Sequence, residues 1–316
     1  MIAIGVDIGG TSIKGAAVTD KGEVLETFSM PVEKGEDQNV TVNKLIDLLN
    51  SYLKEHKYTK ENCLGIGFGI PGSIDSVNGN VDYSNNLRWL HVPFIQMVKS
   101  RIDMPIRITN DANAAAYGES KFGSGRKYKN MLMVTLGTGV GGGIIIDGEL
   151  YEGNSGKGAE LGHMVVQLGG RTCTCGRKGC LEAYASATGL IISTKEMMEK
   201  HKDSKMWAIS EKLGKINARV AFEAARAGDP YGQQVVDDYI KYLGEGLNNY
   251  FNIFRPEAVV LSGGIANEGE YLTSRLTKYC KERVYGFPRT PAVDIVTSEL
   301  GYHSGIVGAA ALMFKK

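Results

Sequence analysis

The sequence predicts an α/β protein of two domains built on related halves, and three observations predict it. The 316 residues suit about two domains. Apolar strand patterns alternate with stretches of helical period, and one strand-turn-strand design occurs twice. In the first copy, residues 2–8 (IAIGVDI) alternate into a strand, GGTS turns tightly, and IKGAAV returns before a turn at Asp20-Lys21-Gly22. In the second, MLMVTLGTGVGGGIII at 131–146 places Thr135 where Asp7 stood, Gly137 where Gly9 stood and Gly143 where Gly15 stood. Gly9, Gly10 and Thr11, with Lys14 on the returning strand, offer backbone N–H groups that no bulky side chain covers. Gly137, Thr138 and Gly139 do the same in the second copy. Such turns cradle phosphate, so each half is expected to present one phosphate loop to a shared cleft. The G-x-G-x-x-G matches at Gly137, Gly139 and Gly142 and at Gly67, Gly69 and Gly72 lack the helix a dinucleotide fold needs directly afterwards, and no Walker loop occurs.

Between the two copies, Val42, Leu45, Leu49 and Tyr52 recur at helical spacing, and Leu64, Ile66, Phe68 and Ile70 alternate with glycine as a buried strand that stops at Pro71-Gly72. A long polar loop, YSNNLRWLHVPF, follows, in which Asn85, Asn86, Arg88 and Trp89 stand out because asparagine offers both donors and an acceptor to sugar hydroxyls. A short strand (IRIT) leads to Asn110-Asp111 and an alanine-rich helix start. One of this pair is expected to cap the helix, a role compatible with acid-base chemistry. After residue 183 the chain is largely helical, with helices at 184–201 and 215–227 and a long one opened by Asp229-Pro230. Its stripe of Val236, Ile240, Leu243, Leu247, Tyr250 and Phe254 reads as core without chemistry. A buried strand, AVVLSGGIA, ends in Gly263-Gly264. A helix (268–283), a strand (AVDIVTS) and an apolar helix (304–314) close the chain. Hinges near Ala112 and Glu299 would divide it into a small domain of residues 1–111 plus 300–316 and a large one of residues 112–299.

The densest chemistry lies from Glu160 to Glu182, ELGHMVVQLGGRTCTCGRKGCLE. Cys173, Cys175 and Cys180 follow C-x-C-G-x-x-G-C, with glycines where a knuckle must turn sharply, and His163 stands upstream. Three thiolates and one imidazole complete a tetrahedral structural Zn²⁺ site of the Cys₃His kind, with no open position for catalysis. Glu160 and Glu182 flank it, so the metal would fix where these carboxylates stand.

Lysine plus arginine number 36 against 35 acids, so no field draws the chain to nucleic acid or an anionic membrane, and small molecules are the expected partners. The five cysteines, two of them isolated (Cys63, Cys280), fit a reducing cytosol. No basic n-region and no membrane-length apolar run occurs, which suggests a cytoplasmic protein.

DIGGTSIKG, Asn110-Asp111, TLGTGVGGG, ELGH, CTCGRKGC, LEAYAS and LSGGIA, in this order, resemble the ROK family of sugar kinases and regulators over essentially the whole chain. The resemblance implies a two-domain actin-like ATPase fold, ribonuclease H-like and hexokinase-type, with sugar and nucleotide between the domains. It implies that the last helix crosses back to the N-terminal domain. Asp111 matches the general base that takes the proton of a sugar hydroxyl as it attacks the γ-phosphorus of ATP. Gly72, Asn85, Asn110, Glu160, His163 and Glu182 match sugar ligands. Asp7, Gly9, Gly10, Thr11 and Lys14 match the first phosphate loop, Gly137, Thr138 and Gly139 the second, and Gly263 and Gly264 the adenosine side. Mg²⁺ would ride on ATP oxygens and water. The family's regulators carry a DNA-binding segment ahead of the first loop, whereas six residues precede Asp7 here. Bacterial glucokinases of the family are the most similar, N-acetylmannosamine kinases and fructokinases less so, and a homodimer or higher oligomer is implied.

Overall fold

The computed structural model describes residues 1–314; Lys315 and Lys316, the end of the expected small domain, lie outside them. The chain forms two compact units, one of Met1–Met133, Gly143–Ala159 and Glu299–Lys316, the other of Val134–Gly142 and Glu160–Ser298.

In the first unit, β1 (Ile2–Ile8), β2 (Ser12–Thr19) and β3 (Val24–Pro31) form an antiparallel meander. After α1 (Gln38–Glu55), β4 (Ile66–Ile70) joins β1 in parallel. Strands β5 (Ser73–Asp75), β6 (Asn80–Ser84) and β7 (Trp89–Val92) make a small separate sheet, and α2 (Phe94–Lys99) leads to β8 (Ile106–Asn110), parallel to β4. The order β3-β2-β1-β4-β8 follows from these pairings. Helix α3 (Asp111–Phe122) starts where β8 ends.

The period-two pattern of β1 explains what covers each face. Ile4, Val6 and Ile8 enter the core that holds Leu45 and Leu49 of α1, Phe68 and Phe94. The opposite face carries small residues, and α10 (Ser304–Phe314) packs there, with Ile306, Val307 and Ala310 against Ala3, Ala16 and Val18. The approach is backbone to backbone: a Cβ on Gly5 would stand 1.9 Å from the Ile306 carbonyl oxygen, and one on Gly67 1.8 Å from that of Ala309. Glycine is required at both positions because any side chain would push the helix off the sheet.

A second five-stranded sheet repeats the order of the first, β11-β10-β9-β12-β13, and the chain crosses between the units within β9 (Met131–Leu136) and β10 (Val140–Ile146). β11 (Glu149–Tyr151) pairs antiparallel with β10, while β12 (Ala258–Ser262) and β13 (Asp294–Thr297) are parallel. The sequence echo is thus an echo of strand order. Between β11 and β12 come α4 (Glu182–Ala185), α5 (Ala187–Lys200), α6 (Met206–Lys212), α7 (Arg219–Arg226) and the long α8 (Pro230–Phe254), and α9 (Glu270–Lys281) precedes β13. Asp229 caps α8, accepting the Tyr231 N–H, with proline at the first helical position.

Two expectations are corrected. The polar loop YSNNLRWLHVPF is mostly a hairpin, β6 pairing antiparallel with β7, and Trp89 is 1% exposed and stacks against Phe94 in the core rather than facing a ligand. Short strands between asparagine-rich turns carry too few alternations to show a period. β3 was unforeseen because its residues are mostly exposed or half-buried, leaving no apolar face to read.

Candidate active site

In the first unit the predicted residues gather at the carboxyl ends of three parallel strands, where open α/β sheets bind ligands. Asp7 lies on β1 opposite Gly69, and Asn110 ends β8 opposite Ile70. Asn110 is the N-cap of α3: its Oδ1 accepts the backbone N–H groups of Ala112 (2.9 Å) and Asn113 (3.3 Å), and its Nδ2 donates to the Gly72 carbonyl at 3.1 Å. Gly72 has φ +118°, and a Cβ there would meet the Tyr83 carbonyl oxygen at 2.2 Å, so the turn after β4 needs glycine. Asp111 opens α3, with Oδ1 2.9 Å from the Ala112 N–H.

The first glycine turn is closed by Gly9 N–H donating to the Ser12 carbonyl at 2.9 Å. Gly10 faces the β6–β7 turn: a Cβ on it would lie 3.4 Å from Asn86 Cβ. Neighbouring Asn85 is exposed and accepts from the Tyr83 hydroxyl at 3.1 Å. Lys14 pairs in register with Asp7 across β1 and β2. Burial raises the Asp7 pKa and Lys14 works against that rise. The Asp7 carboxylate also lies against the start of α10, since a Cβ on Gly305 would come within 2.8 Å of it.

In the second unit, Gly137, Thr138 and Gly139 turn between β9 and β10, held by the Gly137 N–H to Gly139 carbonyl bond, the Ala187 N–H to Gly137 carbonyl bond and the Thr188 hydroxyl on the Thr138 carbonyl. Gly263 sits beside the end of β9, where a Cβ would meet the Leu136 backbone at 2.6 Å, and Gly264 has open space around it. Glu160 precedes the single turn Leu161–His163, whose Leu161 carbonyl accepts from the Tyr250 hydroxyl of α8. Tyr250 therefore has a polar task that its place in an apolar stripe concealed; a phenol buried among aliphatics was the available signal. Desolvation raises the Glu160 pKa, His163 opposes that rise and Glu182 adds to it.

The His163, Cys173, Cys175 and Cys180 ligand atoms all lie within 4.8 Å of one another, and the cysteines are free of disulfides. Cys173 Sγ is 3.5 Å from His163 Nδ1, and Cys175 Sγ is 3.7 Å from Cys180 Sγ. Tetrahedral zinc with bonds of about 2.0–2.3 Å has ligand-ligand edges of roughly 3.5–3.8 Å, so the donor set and spacing fit that ion. The knuckle's backbone is a miniature hairpin, with Thr172 bridged to Lys178 and the Cys173 N–H on the Arg177 carbonyl at 2.8 Å.

Glu182, expected only as a sugar ligand, joins this knuckle to the second glycine turn. Its Oε1 accepts from the Thr174 hydroxyl at 2.8 Å and faces the Cys173 thiol at 3.4 Å, while its Oε2 accepts the Val140 N–H at 3.0 Å. An ionised carboxylate offers about four acceptor directions, so a further donor can still bind. Nothing in the residue pattern marked Thr174.

The ROK family model matches residues 3–316. The chain is 36% identical over 312 residues to a glucokinase of Halalkalibacterium halodurans, covering 98% of this chain and 94% of that one. It is 30% identical over 310 residues to a xylose repressor of Caldicellulosiruptor bescii, covering 98% of this chain and 77% of the repressor. Among solved structures, a ROK glucokinase of Streptomyces griseus in complex with glucose and AMPPNP superposes with a TM-score of 0.82 at 31% identity, each chain covered fully. The fold is accordingly the hexokinase-like, actin-like ATPase fold expected from the sequence, and the chain belongs to the ROK family.

Proposed function

We propose that this protein is an ATP-dependent sugar kinase that transfers the γ-phosphate of ATP to the 6-hydroxyl of glucose. The observation that carries the reading is Asp111: a carboxylate on the first residue of a helix, at the carboxyl ends of the parallel strands and on the unit that holds the first glycine turn. Similarity to glucokinases supports the substrate class. In this reading Asp111 takes the proton of the attacking hydroxyl. Gly72, Asn85, Asn110, Glu160, His163 and Glu182 bind and orient the sugar. The turns at Gly9–Thr11 and Gly137–Gly139, with Asp7 and Lys14, hold the phosphates, and Gly263-Gly264 lie along the adenosine. Phosphoryl transfer demands mainly position and charge neutralisation, which is what backbone donors and a lysine supply.

Mg²⁺ bound to ATP would neutralise phosphate charge. Zn²⁺ on His163, Cys173, Cys175 and Cys180 would order the segment that carries Glu160 and Glu182. The Cys173 thiol proton now directed at Glu182 would be given up on metal binding, which leaves that oxygen freer for a hydroxyl. The reading extends to a cytoplasmic homodimer or higher oligomer, checked by sedimentation.

ADP release measured over a panel of hexoses and N-acetylhexosamines tests the reading. Release should require both sugar and Mg²⁺ and be fastest with glucose. Fastest release with N-acetylmannosamine or fructose would move the substrate within the family, and sugar binding without any ADP release would replace the kinase by a sugar-sensing regulator.

A further inference from the structure

The cysteine knuckle reaches the second glycine turn through one carboxylate. Thr174 lies between Cys173 and Cys175, and its hydroxyl donates to Glu182 Oε1 at 2.8 Å. The other oxygen of the same carboxylate accepts the N–H of Val140, the residue that follows Gly139, at 3.0 Å. The fit at that end is close, since a Cβ on Gly139 would come within 2.4 Å of Oε2. A glutamate carboxylate turns easily about its last torsion, and a donor at each oxygen stops that rotation. Both bonds end on an acceptor that is charged when ionised, which makes them stronger than neutral pairs.

We propose that Thr174 is a positioning residue for the phosphate donor. By fixing Glu182 Oε1 it holds Oε2 on the Val140 N–H, and so holds the Gly137–Gly139 turn in the form that receives phosphate. The knuckle then serves the nucleotide as well as the sugar. This rests on the kinase reading above. Thr174 touches no substrate in that reading and is not a metal ligand, so it can be changed without removing either function directly. Glu182 variants would not separate the two roles, because Glu182 also stands at the proposed sugar site.

The test compares wild type, Thr174→Val and Thr174→Ser for zinc content, for binding of a non-hydrolysable ATP analogue with Mg²⁺ by calorimetry, and for the KM of each substrate. Thr174→Val should bind the analogue about fivefold more weakly, the loss of one charge-assisted hydrogen bond at a partly solvated site. Its KM for sugar should also rise, because the loosened Glu182 stands at the proposed sugar site, its zinc content should be unchanged, and Thr174→Ser should restore nucleotide affinity. Unchanged nucleotide affinity in Thr174→Val, loss of sugar affinity alone, loss of zinc, or no rescue by serine would each overturn the relay. Wild-type ADP release reads the kinase assignment separately: if wild type binds nucleotide but never transfers phosphate, the kinase reading fails while the binding comparison still judges the relay.

Discussion

The two glycine turns share a design and differ in what holds them. In the first, β1 and β2 bring their own charges: Asp7 and Lys14 face each other in register, and the turn is closed within itself by the Gly9 N–H to Ser12 carbonyl bond. In the second, Thr135 replaces the acid, and its hydroxyl accepts the Gly141 N–H at 3.0 Å, pinning the hairpin rather than offering charge. Gly142 replaces the lysine and lies against Leu161, whose side chain a Cβ would meet at 2.5 Å. The carboxylate at the second turn comes instead from Glu182. One backbone motif thus serves two ends: the first turn carries its own charged pair, and the second takes its carboxylate from Glu182 of α4 and its further bonds from α5.

That contrast can be broken by substitution. The largest effect belongs to the first unit: Asp111→Ala should lower kcat by roughly 10²–10⁴-fold, as loss of a general base does, with sugar affinity within several-fold. Turnover near wild type would remove Asp111 from the base role. Next, Cys175→Ser should release zinc and weaken sugar binding by about tenfold or more, because the metal orders what surrounds it. A metal-free variant with unchanged sugar affinity would show that the second unit's site does not lean on the knuckle.

Tyr250→Phe should cost about 1–3 kcal/mol of stability by leaving the buried Leu161 carbonyl without its donor. It should also raise the KM for sugar more than that for ATP. Equal thermal stability of variant and wild type would mean that water replaces the hydroxyl. The smallest effect is a gain. Burial raises the Asp7 pKa, so folding favours its protonated form, and the stability this acid contributes is full below the ordinary carboxylate pKa of about 4 and is lost as pH rises through the raised value. Asp7→Asn should therefore melt higher than wild type at neutral pH, with the gap closing as pH falls toward about 4, while activity drops. A gap independent of pH would mean that the ionised carboxylate costs the fold nothing.

Much of this was legible in the residues. The repeat of strand, glycine turn and returning strand pointed to two related halves, and the structure gives two sheets that share one strand order. The Asn110 cap and the convergence of His163 with three cysteines were readable from residue type and spacing. The links between segments were not. That Glu182 would join Thr174 to Val140 depends on a fold that brings together three points far apart in the chain. Tyr250 sat in a period-perfect apolar stripe, and only its hydroxyl hinted at more. Trp89 misled because a polar neighbourhood in sequence surrounds a side chain that the fold turns inward.

The seating of α10 also orders events in time. Ala3, Gly5, Ala16 and Val18 lie on a face of the first sheet that is covered by residues 304–314. Domains commonly fold as they leave the ribosome, from the N-terminus onward. Here the sheet that β1 begins keeps one apolar face open until α10 has been translated, so a unit entered before the second one is completed after it.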